Sequence, residues 1–294
     1  MRMVLHSVSY SGTWGGQAAL SRKDFFKKAV SLGFSAVELM AKPPHLTHND
    51  FEHPEILAAE LKEAGLSLAC LGAYTDFTAA LSSPMIPESF IQIEYIRQLA
   101  KLASVCDCPL IRIFTGTEKE GTPFFTQWNL CVEGVRACAD AAAEYGVTIG
   151  VQNHHDIAVT ADSMLAFLKD VDRKNVKAMY DAWAPAGTGE DLAASARKMA
   201  GSTVYTTVAD YECIDREKLD YSLLSFSPRP KARRACPMGE GHIDYKGFFT
   251  ELMQCGFDGD VCYEMCSALR DGGKEDVLDE YARRFLEYMN EFKH

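Results

Sequence analysis

Short apolar segments alternate along the chain with longer segments of helical periodicity. The short segments are rich in β-branched and other aliphatic residues, as buried strands are. They lie at residues 3–9, 36–40, 66–74, 110–114, 147–153, 177–181, 203–208 and 261–264. The pattern therefore predicts eight β-strands.

The longer segments carry apolar residues every three or four positions, which is typical of amphipathic helices. The clearest is residues 124–146, where Gly146 ends the pattern as a glycine after a helix does. Residues 56–65 and 244–256 are two further predicted helices, the second with Asp244 as its N-cap.

This alternation of strand and helix predicts a parallel sheet built from right-handed βαβ units. Eight units in 294 residues match a (β/α)8 TIM barrel, an α/β fold that would form a single domain over residues 1–294. The alternative is an open doubly wound sheet, which usually has a Gly-rich phosphate-binding turn after its first strand. SYSGTWGG follows the first strand here but lacks the G-x-G-x-x-G spacing. The barrel is favoured, with an extended loop at about residues 209–243.

Composition and charge narrow the class of protein. The chain is 47% hydrophobic and 24% charged, which indicates a folded core, and its formal net charge is -11. A nucleic-acid-binding protein needs basic groups to displace counterions, so this charge argues against one. The basic segment PRPKARR at residues 228–234 is too short to change that expectation.

We expect a cytoplasmic protein that acts on a small molecule. No apolar run approaches the roughly 18 residues that a membrane span needs, and no signal segment is visible at the start of the chain. The ten cysteines include no Cys-x-x-Cys pair, so we expect buried, reduced thiols rather than a structural zinc site. The sequence leaves open whether the protein is a homo-oligomer.

Polar residues stand at the ends of the predicted strands. In a TIM barrel the active site lies at the carboxyl ends of the strands, so these residues are the candidates for chemistry. They are His6 on the first strand, Tyr74 and Asp76 after the third, Gln152 and His154 after the fifth, Asp181 after the sixth and Glu264 after the eighth.

The alternation of side chains along a strand sorts the cluster at residues 152–155. Gln152 and His154 are expected to share one face, so that at most one of His154 and His155 faces the site.

Other candidates have a structural interpretation as well. Glu264 could belong to a buried ion pair, Asp181 could cap a turn and His6 could be a core histidine. Arg112 is expected to form an internal salt bridge with Glu38.

Three stretches resemble the xylose isomerase-like superfamily of sugar isomerases and epimerases, which also includes endonuclease IV. GFSAVELM at residues 33–40 and LIRIFTG at residues 110–116 resemble its second and fourth strands. PMGEGHIDYKGFFTELMQCGFDGDVCYE at residues 237–264 resembles its closing pattern of a Gly-x-Gly turn, an Ile-Asp helix start and a strand that ends in Glu. The resemblance implies a metal-dependent isomerase or epimerase that transfers a proton next to the carbonyl of a sugar or keto-sugar.

The resemblance also implies a set of metal ligands. Family members typically use a Glu after strand 5, an Asp after strand 6, a His on strand 7 and a Glu after strand 8. The matching positions here are Gln152, Asp181, Thr207 and Glu264. Gln152, Asp181 and Glu264 would then hold the metal, and an all-oxygen set favours Mn²⁺ or Mg²⁺ over zinc. Because an amide replaces one carboxylate and a threonine replaces the histidine, weaker metal binding, or none, stays open.

The amide at position 152 also bears on the mechanism. Epimerisation by two carboxylates is disfavoured, because Gln152 does not titrate. We expect Glu264 or His154 to be the catalytic residue that transfers the proton, since an imidazole titrates near neutral pH. The residues expected to contact the sugar are Tyr74, Arg112, Trp183 and His6.

Three other functions are weighed against this one. A lyase or hydratase that acts on an oxidised sugar would need the same residues, and a non-catalytic sugar-binding barrel would explain the lost ligands. A nuclease like endonuclease IV is disfavoured, because it needs a histidine-rich site for several metal ions. The chain has eight histidines, but several of them lie in predicted loops, and its net charge is strongly negative.

Overall fold

The structure, a computed structural model that describes residues 1–14 and 16–292, is a closed barrel of eight parallel strands. All eight predicted strands are present, and the prediction of a (β/α)8 barrel is confirmed. The barrel strands are β1 (Arg2–His6), β2 (Ala36–Met40), β3 (Ser67–Gly72), β4 (Leu110–Ile113), β5 (Thr148–Gln152), β6 (Val176–Met179), β7 (Thr203–Val208) and β10 (Asp260–Tyr263).

Helices surround the barrel and bury their apolar faces against it. The three helices predicted from periodicity are α3 (Pro54–Ala64), α5 (Phe124–Ala143) and α9 (Tyr245–Gln254). Asp244 caps α9 as expected, since its carboxylate accepts a hydrogen bond from the backbone N–H of Gly247 at 2.9 Å. The helices are α1 (Arg22–Leu32), α2 (His48–Glu52), α3 (Pro54–Ala64), α4 (Glu88–Val105), α5 (Phe124–Ala143), α6 (Ala161–Val171), α7 (Trp183–Thr188), α8 (Leu192–Met199), α9 (Tyr245–Gln254) and α10 (Glu275–Met289).

The interior of the barrel has an apolar floor and a polar layer above it. Because side chains alternate along a strand, residues two positions apart point to the same side, and each floor residue predicts the position of a residue in the next layer. The floor is a separate apolar cluster that includes Val4, Ala36, Cys70, Leu110, Met179, Tyr205 and Cys262. Two positions further along these strands stand His6, Glu38, Gly72, Arg112, Asp181, Thr207 and Glu264, and β5 adds Gln152.

Residues 209–243, where the sequence predicts an extended loop, mostly form a long antiparallel hairpin. Its strands are β8 (Asp210–Asp220) and β9 (Ser225–Cys236). Both faces of its outer half are exposed, so the segment shows no alternation of apolar and polar residues from which strands could be predicted. Asp210 fixes its base by accepting hydrogen bonds from the backbone N–H groups of Gly239 and Gly241 at 3.0 and 2.9 Å.

All ten cysteines are free thiols. Seven are buried as expected, whereas Cys213 and Cys266 are half-buried and Cys255 is exposed, so the expectation of burial is wrong for these three. In the part of the chain that the structure describes, every helix is too short or too polar to cross a bilayer.

Candidate active site

A cavity of about 510 Å³ opens at the carboxyl end of the barrel, above the polar layer. Its wall is largely aromatic, and the charged side chains that line it are Lys42, Arg112, Arg233 and Glu264. Several of the predicted site residues line this cavity together: Tyr74, Arg112, His154, Trp183 and Glu264. Thr207, which stands at the position of the family's histidine, lines it as well.

The polar layer contains a buried group of charges beneath the cavity. Arg112 Nε lies 3.8 Å from Glu38 Oε1, which confirms the predicted internal salt bridge. His6 Nε2 lies 3.3 Å from the same oxygen, and the Tyr205 hydroxyl donates to Glu38 Oε2 at 2.9 Å. Burial opposes ionisation of Glu38, but His6 and Arg112 outweigh it and lower the pKa of the carboxyl to about 2. Glu38 is therefore ionised and holds the guanidinium in the barrel interior.

His6 supports the site from below rather than lining it. It has no exposed surface, and its Nδ1 accepts a hydrogen bond from the backbone N–H of Val8 at 3.0 Å. The predicted sugar contact by His6 therefore does not follow from its position. The reason is geometric, because its two ring nitrogens face the backbone of Val8 and the carboxylate of Glu38 inside the barrel.

Glu264 is the carboxylate that reaches the cavity. Its side chain keeps 12% of its surface exposed, whereas those of Glu38 and Arg112 are almost completely buried. Glu264 Oε1 lies 3.9 Å from both Arg112 Nη1 and His6 Nε2. Among the described residues that line the cavity, it alone carries a carboxylate.

Asp181 is buried in a ring of hydrogen-bond donors. One oxygen accepts from the backbone N–H of Thr207 at 2.7 Å and from the Thr206 hydroxyl at 3.4 Å. The other oxygen accepts from the Gln152 amide and from the Thr207 hydroxyl. A carboxylate has about four lone-pair sites, so this one is saturated. Burial raises the pKa of Asp181 to about 7, against the effect of these donors.

This donor set does not fit a divalent cation. The oxygens of Asp181 already accept four protein hydrogen bonds, and the Gln152 oxygen accepts one from Arg112 Nη1 at 3.1 Å. A metal needs lone pairs that converge on one point, and here they are taken by donors of the chain itself. Among the described residues, no group of three or more His, Cys, Asp or Glu side chains could hold a metal ion.

The polar run that follows β5 joins this strand to β6. Asn153 accepts from the backbone N–H of Asp181 at 2.7 Å and donates to the carbonyl of Asp181 at 3.0 Å. Gln152 reaches Thr207 on β7 through a hydrogen bond of 2.6 Å. The density of amides at this strand end is thus explained by contacts between strands.

Both His154 and His155 line the cavity, so the expectation that at most one of them faces the site is wrong. The strand ends at Gln152 and the chain turns at residues 153–156, where the alternation of a strand no longer applies. Burial lowers the pKa of His154 to about 3, and burial also lowers the pKa of His155. His154 is thus neutral at physiological pH and a weak base, which favours Glu264 for proton transfer.

Aromatic rings form the wall around these groups. The Phe114 ring lies 4.8 Å from the His154 ring and 4.4 Å from the His155 ring, and the Trp183 ring lies 5.0 Å from the His154 ring. Tyr74 meets the edge of Phe114 at 6.0 Å. Flat apolar faces of this kind suit the C–H faces of a sugar ring.

Sequence reasoning missed several lining residues. Lys42, whose ammonium lies 3.6 Å from the centre of the Tyr74 ring, follows β2 by two residues and could have been found by the strand-end argument. Arg233 and Tyr211 come from the hairpin, Trp14 comes from the loop after β1, and no pattern in the sequence pointed to them.

Asp76 and Asp210, which stand at strand ends, serve the loops instead. Asp76 accepts hydrogen bonds from the Thr78 backbone at 3.0 Å and from the Thr78 hydroxyl at 2.6 Å, and neither aspartate lines the cavity.

Comparisons with known proteins agree with this architecture. A family model described as xylose isomerase-like TIM barrel matches residues 26–288. An inosose dehydratase of Geobacillus thermodenitrificans is 26% identical over 172 residues, which are 58% of this chain and 56% of that protein. An inosose dehydratase of Erwinia tasmaniensis is 23% identical over 92% of this chain and 91% of that protein. The chain thus spans little more than half of the first relative and nearly all of the second.

Solved structures share the fold at lower identity. A D-psicose 3-epimerase of Clostridium cellulolyticum H10, solved with D-tagatose, superposes with a TM-score of 0.73 at 19% identity over 99% of this chain and 98% of that one. A probable 3-DHS dehydratase of Bacillus anthracis gives a TM-score of 0.73 at 19% identity over 97% and 99% of the two chains. At these identities the likeness is one of fold.

Proposed function

The chain belongs to the family of xylose isomerase-like TIM barrels, and on this premise we propose that it is an enzyme that removes a proton next to the carbonyl of a keto-sugar or keto-cyclitol. The observation that carries the proposal is the position of Glu264, a partly exposed carboxylate in the cavity beside a buried positive charge. The likeness to two inosose dehydratases supports this substrate class.

Glu264 takes the proton from the carbon next to the carbonyl, and the electron pair of the broken C–H bond moves toward the carbonyl oxygen. If a hydroxyl stands on the next carbon, the electrons return to expel it, and Glu264 gives its proton to the leaving oxygen as water departs. One carboxylate can serve both steps on the same face of the substrate.

Dehydration is the outcome that we favour. Epimerisation would need a second base on the opposite face of the substrate. The described lining holds no second carboxylate, and burial lowers the pKa values of its two imidazoles, His154 and His155. The likeness to two inosose dehydratases supports the same outcome. Isomerisation is the second candidate, because it also needs one base.

The wall of the cavity would hold the substrate. Tyr74, Phe114 and Trp183 present ring faces, and Lys42 and Arg233 at the cavity present donors for hydroxyl oxygens. Substrate contacts by Tyr74, Trp183 and Arg112 are part of this proposal.

The proposal is tested by proton NMR in D₂O with a panel of ketoses, 3-keto sugars and inososes. We expect deuterium uptake at the carbon next to the carbonyl, or loss of water, with at least one compound. Glu264→Gln should lower turnover by about 10³-fold, because the base is lost. Glu240→Gln, a control at an exposed glutamate that lies outside the cavity, should leave turnover unchanged.

Each result has a definite meaning. Exchange without loss of water would identify an isomerase. Unchanged turnover in Glu264→Gln would remove Glu264 from the mechanism. A protein that binds members of the panel without exchange would be a sugar-binding barrel.

A further inference from the structure

We propose that the guanidinium of Arg112 takes the place of the divalent cation in this active site, and that the site therefore works without a metal. The part that concerns catalysis rests on the proposed function, whereas the part that concerns metal binding does not. Four features of the polar layer lead to this inference.

The first feature is the orientation of Gln152. Its Nε2 donates to Asp181 and Thr207, while its Oε1 accepts from Arg112 Nη1 at 3.1 Å. A carboxylate only accepts hydrogen bonds and a guanidinium only donates them. In the reverse orientation the amide oxygen of Gln152 would face the Asp181 carboxylate and the amide nitrogen would face the Arg112 guanidinium, so neither hydrogen bond could form. The neighbours therefore determine the orientation, and the one oxygen that could bind a metal is committed to Arg112.

The second feature is the positive charge of Arg112 next to that oxygen. A metal bound to Gln152 Oε1 would share it with a guanidinium that is charged at every accessible pH. Burial opposes the charge, but Glu38 and Glu264 raise the pKa of Arg112 further above its ordinary value. The guanidinium would repel a metal ion at the same point. The negative charge that a glutamate supplies at this position in the family is absent, because Gln152 is neutral.

The third feature is that the guanidinium is built into the barrel. Arg112 is 1% exposed, it is held by Glu38 beneath it, and its central carbon lies 4.5 Å from the centre of the Phe114 ring. Gly72 leaves the space in which it lies, since a Cβ on Gly72 would come within 2.9 Å of Arg112 Nη2. The charge therefore has one fixed position, as a bound metal would have.

The fourth feature is that the guanidinium has donors to spare. Within the described residues, Nε and Nη2 of Arg112 have no hydrogen-bond partner although both atoms are buried. Idle buried donors are costly, and they are rare unless a ligand or an ordered water completes them. Nε lies 3.8 Å from Glu38 beneath it, so Nη2 is the donor left for an oxygen of a substrate.

The arrangement explains how the reaction could proceed without a metal. When Glu264 removes the proton, negative charge develops on the carbonyl oxygen of the substrate. Arg112 Nη1 lies 3.9 Å from Glu264 Oε1, so a carbonyl next to the reacting carbon comes within reach of the fixed positive charge. The proton goes to Glu264, and Arg112 keeps its own protons throughout.

The first experiment measures metal binding and does not depend on turnover. The purified protein is titrated with MnCl₂ up to millimolar concentration by calorimetry, and its metal content is measured by mass spectrometry. We expect neither stoichiometric metal nor heat of binding nor a shift of the melting temperature. One tightly bound metal ion per chain would overturn the proposal.

A variant that restores the family's ligands is the matched comparison. Arg112→Gln combined with Gln152→Glu and Thr207→His should bind one Mn²⁺ and melt at a higher temperature when Mn²⁺ is present. A folded variant that binds no Mn²⁺ would show that these three residues are not the cause, and would overturn the argument. If this variant does not fold, the titration of the wild-type protein decides alone.

The second experiment tests the role of the charge in turnover. Activity found in the substrate panel should be unaffected by EDTA. Arg112→Gln should lower kcat by about 10²–10³-fold, and Arg112→Lys, which keeps a charge in another shape, should lose less. Added guanidinium should partly restore turnover in Arg112→Ala, which a purely structural role would not allow. Loss of activity in EDTA, or equal losses in the Lys and Gln variants without rescue, would overturn the proposal, whereas absence of any turnover in the wild-type protein would contradict the proposed function alone.

Discussion

Gly72 ends β3 at the level where each of the other seven barrel strands places a polar side chain. A Cβ at this position would lie 2.8 Å from Glu38 Oε1 and 2.9 Å from Arg112 Nη2. Both distances are shorter than a carbon can approach these atoms, so the absence of a side chain here is a condition for the buried ion pair.

We therefore predict that Gly72→Ala displaces Arg112 without touching any group that reacts. Turnover should fall by about 10- to 100-fold, because a shift of this kind misplaces the charge relative to Glu264. Gly201→Ala is the control, since a Cβ there meets nothing within 4 Å. Steady-state kinetics of the two variants decide the matter, and equal activities would show that the position of Arg112 is unimportant.

His45 gives a prediction about the pH dependence of stability. Its ring is fully buried, it packs on Phe25 with ring centres 5.6 Å apart, and its Nε2 is 3.0 Å from the carbonyl of Leu20. Burial lowers the pKa of His45 from 6.5 to about 4. The unfolded chain therefore takes up a proton between pH 6.5 and 4 that the folded chain does not, and stability falls as the pH falls through this range.

The expected loss from His45 is about 3 kcal/mol between those pH values. In His45→Gln the free energy of unfolding should depend less on pH by about that amount, because glutamine does not titrate. Urea unfolding of both proteins at a series of pH values measures the difference. The pKa of His154 is lowered as well, but its effect is the same in both proteins and cancels. Parallel plots of unfolding free energy against pH for the two proteins would mean that His45 takes up its proton equally in the folded and the unfolded chain.

Single residues at strand ends could be predicted from the sequence, but their hydrogen bonds could not. The strand-end argument found Gln152, Asp181 and Glu264, because the period of two fixes which side chains enter the barrel. Whether Gln152 turns its oxygen or its nitrogen toward Asp181 depends on Arg112 and Thr207, which are 40 and 55 residues away along the chain. Such an orientation follows only once the strands are assembled.

Among the elements, the hairpin of β8 and β9 differs from the rest in having almost no core. Ile214, Tyr221, Leu224 and Phe226 are exposed large apolar residues, and the ion pair between Asp215 and Lys231 is exposed as well. Surface pairs of this kind contribute little to stability. The outer half of the hairpin should therefore be dispensable for the fold of the barrel.

The test is to replace residues 215–231 with Asn-Gly. Ile214 lies directly opposite Ala232, so a two-residue turn can join them. The free energy of unfolding should change by no more than about 1 kcal/mol, since few buried contacts are lost. A loss of several kcal/mol in denaturant titrations would mean that the outer half packs on another surface, including one on a second copy of the chain.

Elements with at least one buried face were the ones that the sequence could predict. Helix α5 shows a regular apolar stripe, and the strands of the barrel appear as short apolar runs because both of their faces are covered. The hairpin has no buried face over most of its length. Its sequence therefore lacks the alternation of apolar and polar residues that indicates a strand, and a loop was predicted there.

At the scale of the whole molecule, the barrel closes by pairing its first and last strands. Met3 and Val4 on β1 lie opposite Val261 and Cys262 on β10, so the contact joins the two ends of the chain. The guanidinium of Arg2 meets the carboxylate of Asp260 at 2.6 Å, next to this seam. The eight strand–helix units favoured a closed barrel in the sequence, whereas the residues that meet at the seam follow only from the register.

Gly259, just before β10, allows this strand to lie against β7, its other neighbour in the barrel. A Cβ on Gly259 would lie 2.2 Å from the backbone oxygen of Val204, which cannot move without disturbing the pairing of β7. Gly259→Ala should therefore lower the free energy of unfolding by roughly 3 kcal/mol. Gly256→Ala, three residues earlier, meets no atom within 4 Å and should cost about 1 kcal/mol because of its left-handed backbone at φ +87°. Urea titrations of the two variants compare the contact between β10 and β7 with a local backbone strain. A smaller loss in Gly259→Ala than in Gly256→Ala would show that this contact adapts to the added carbon.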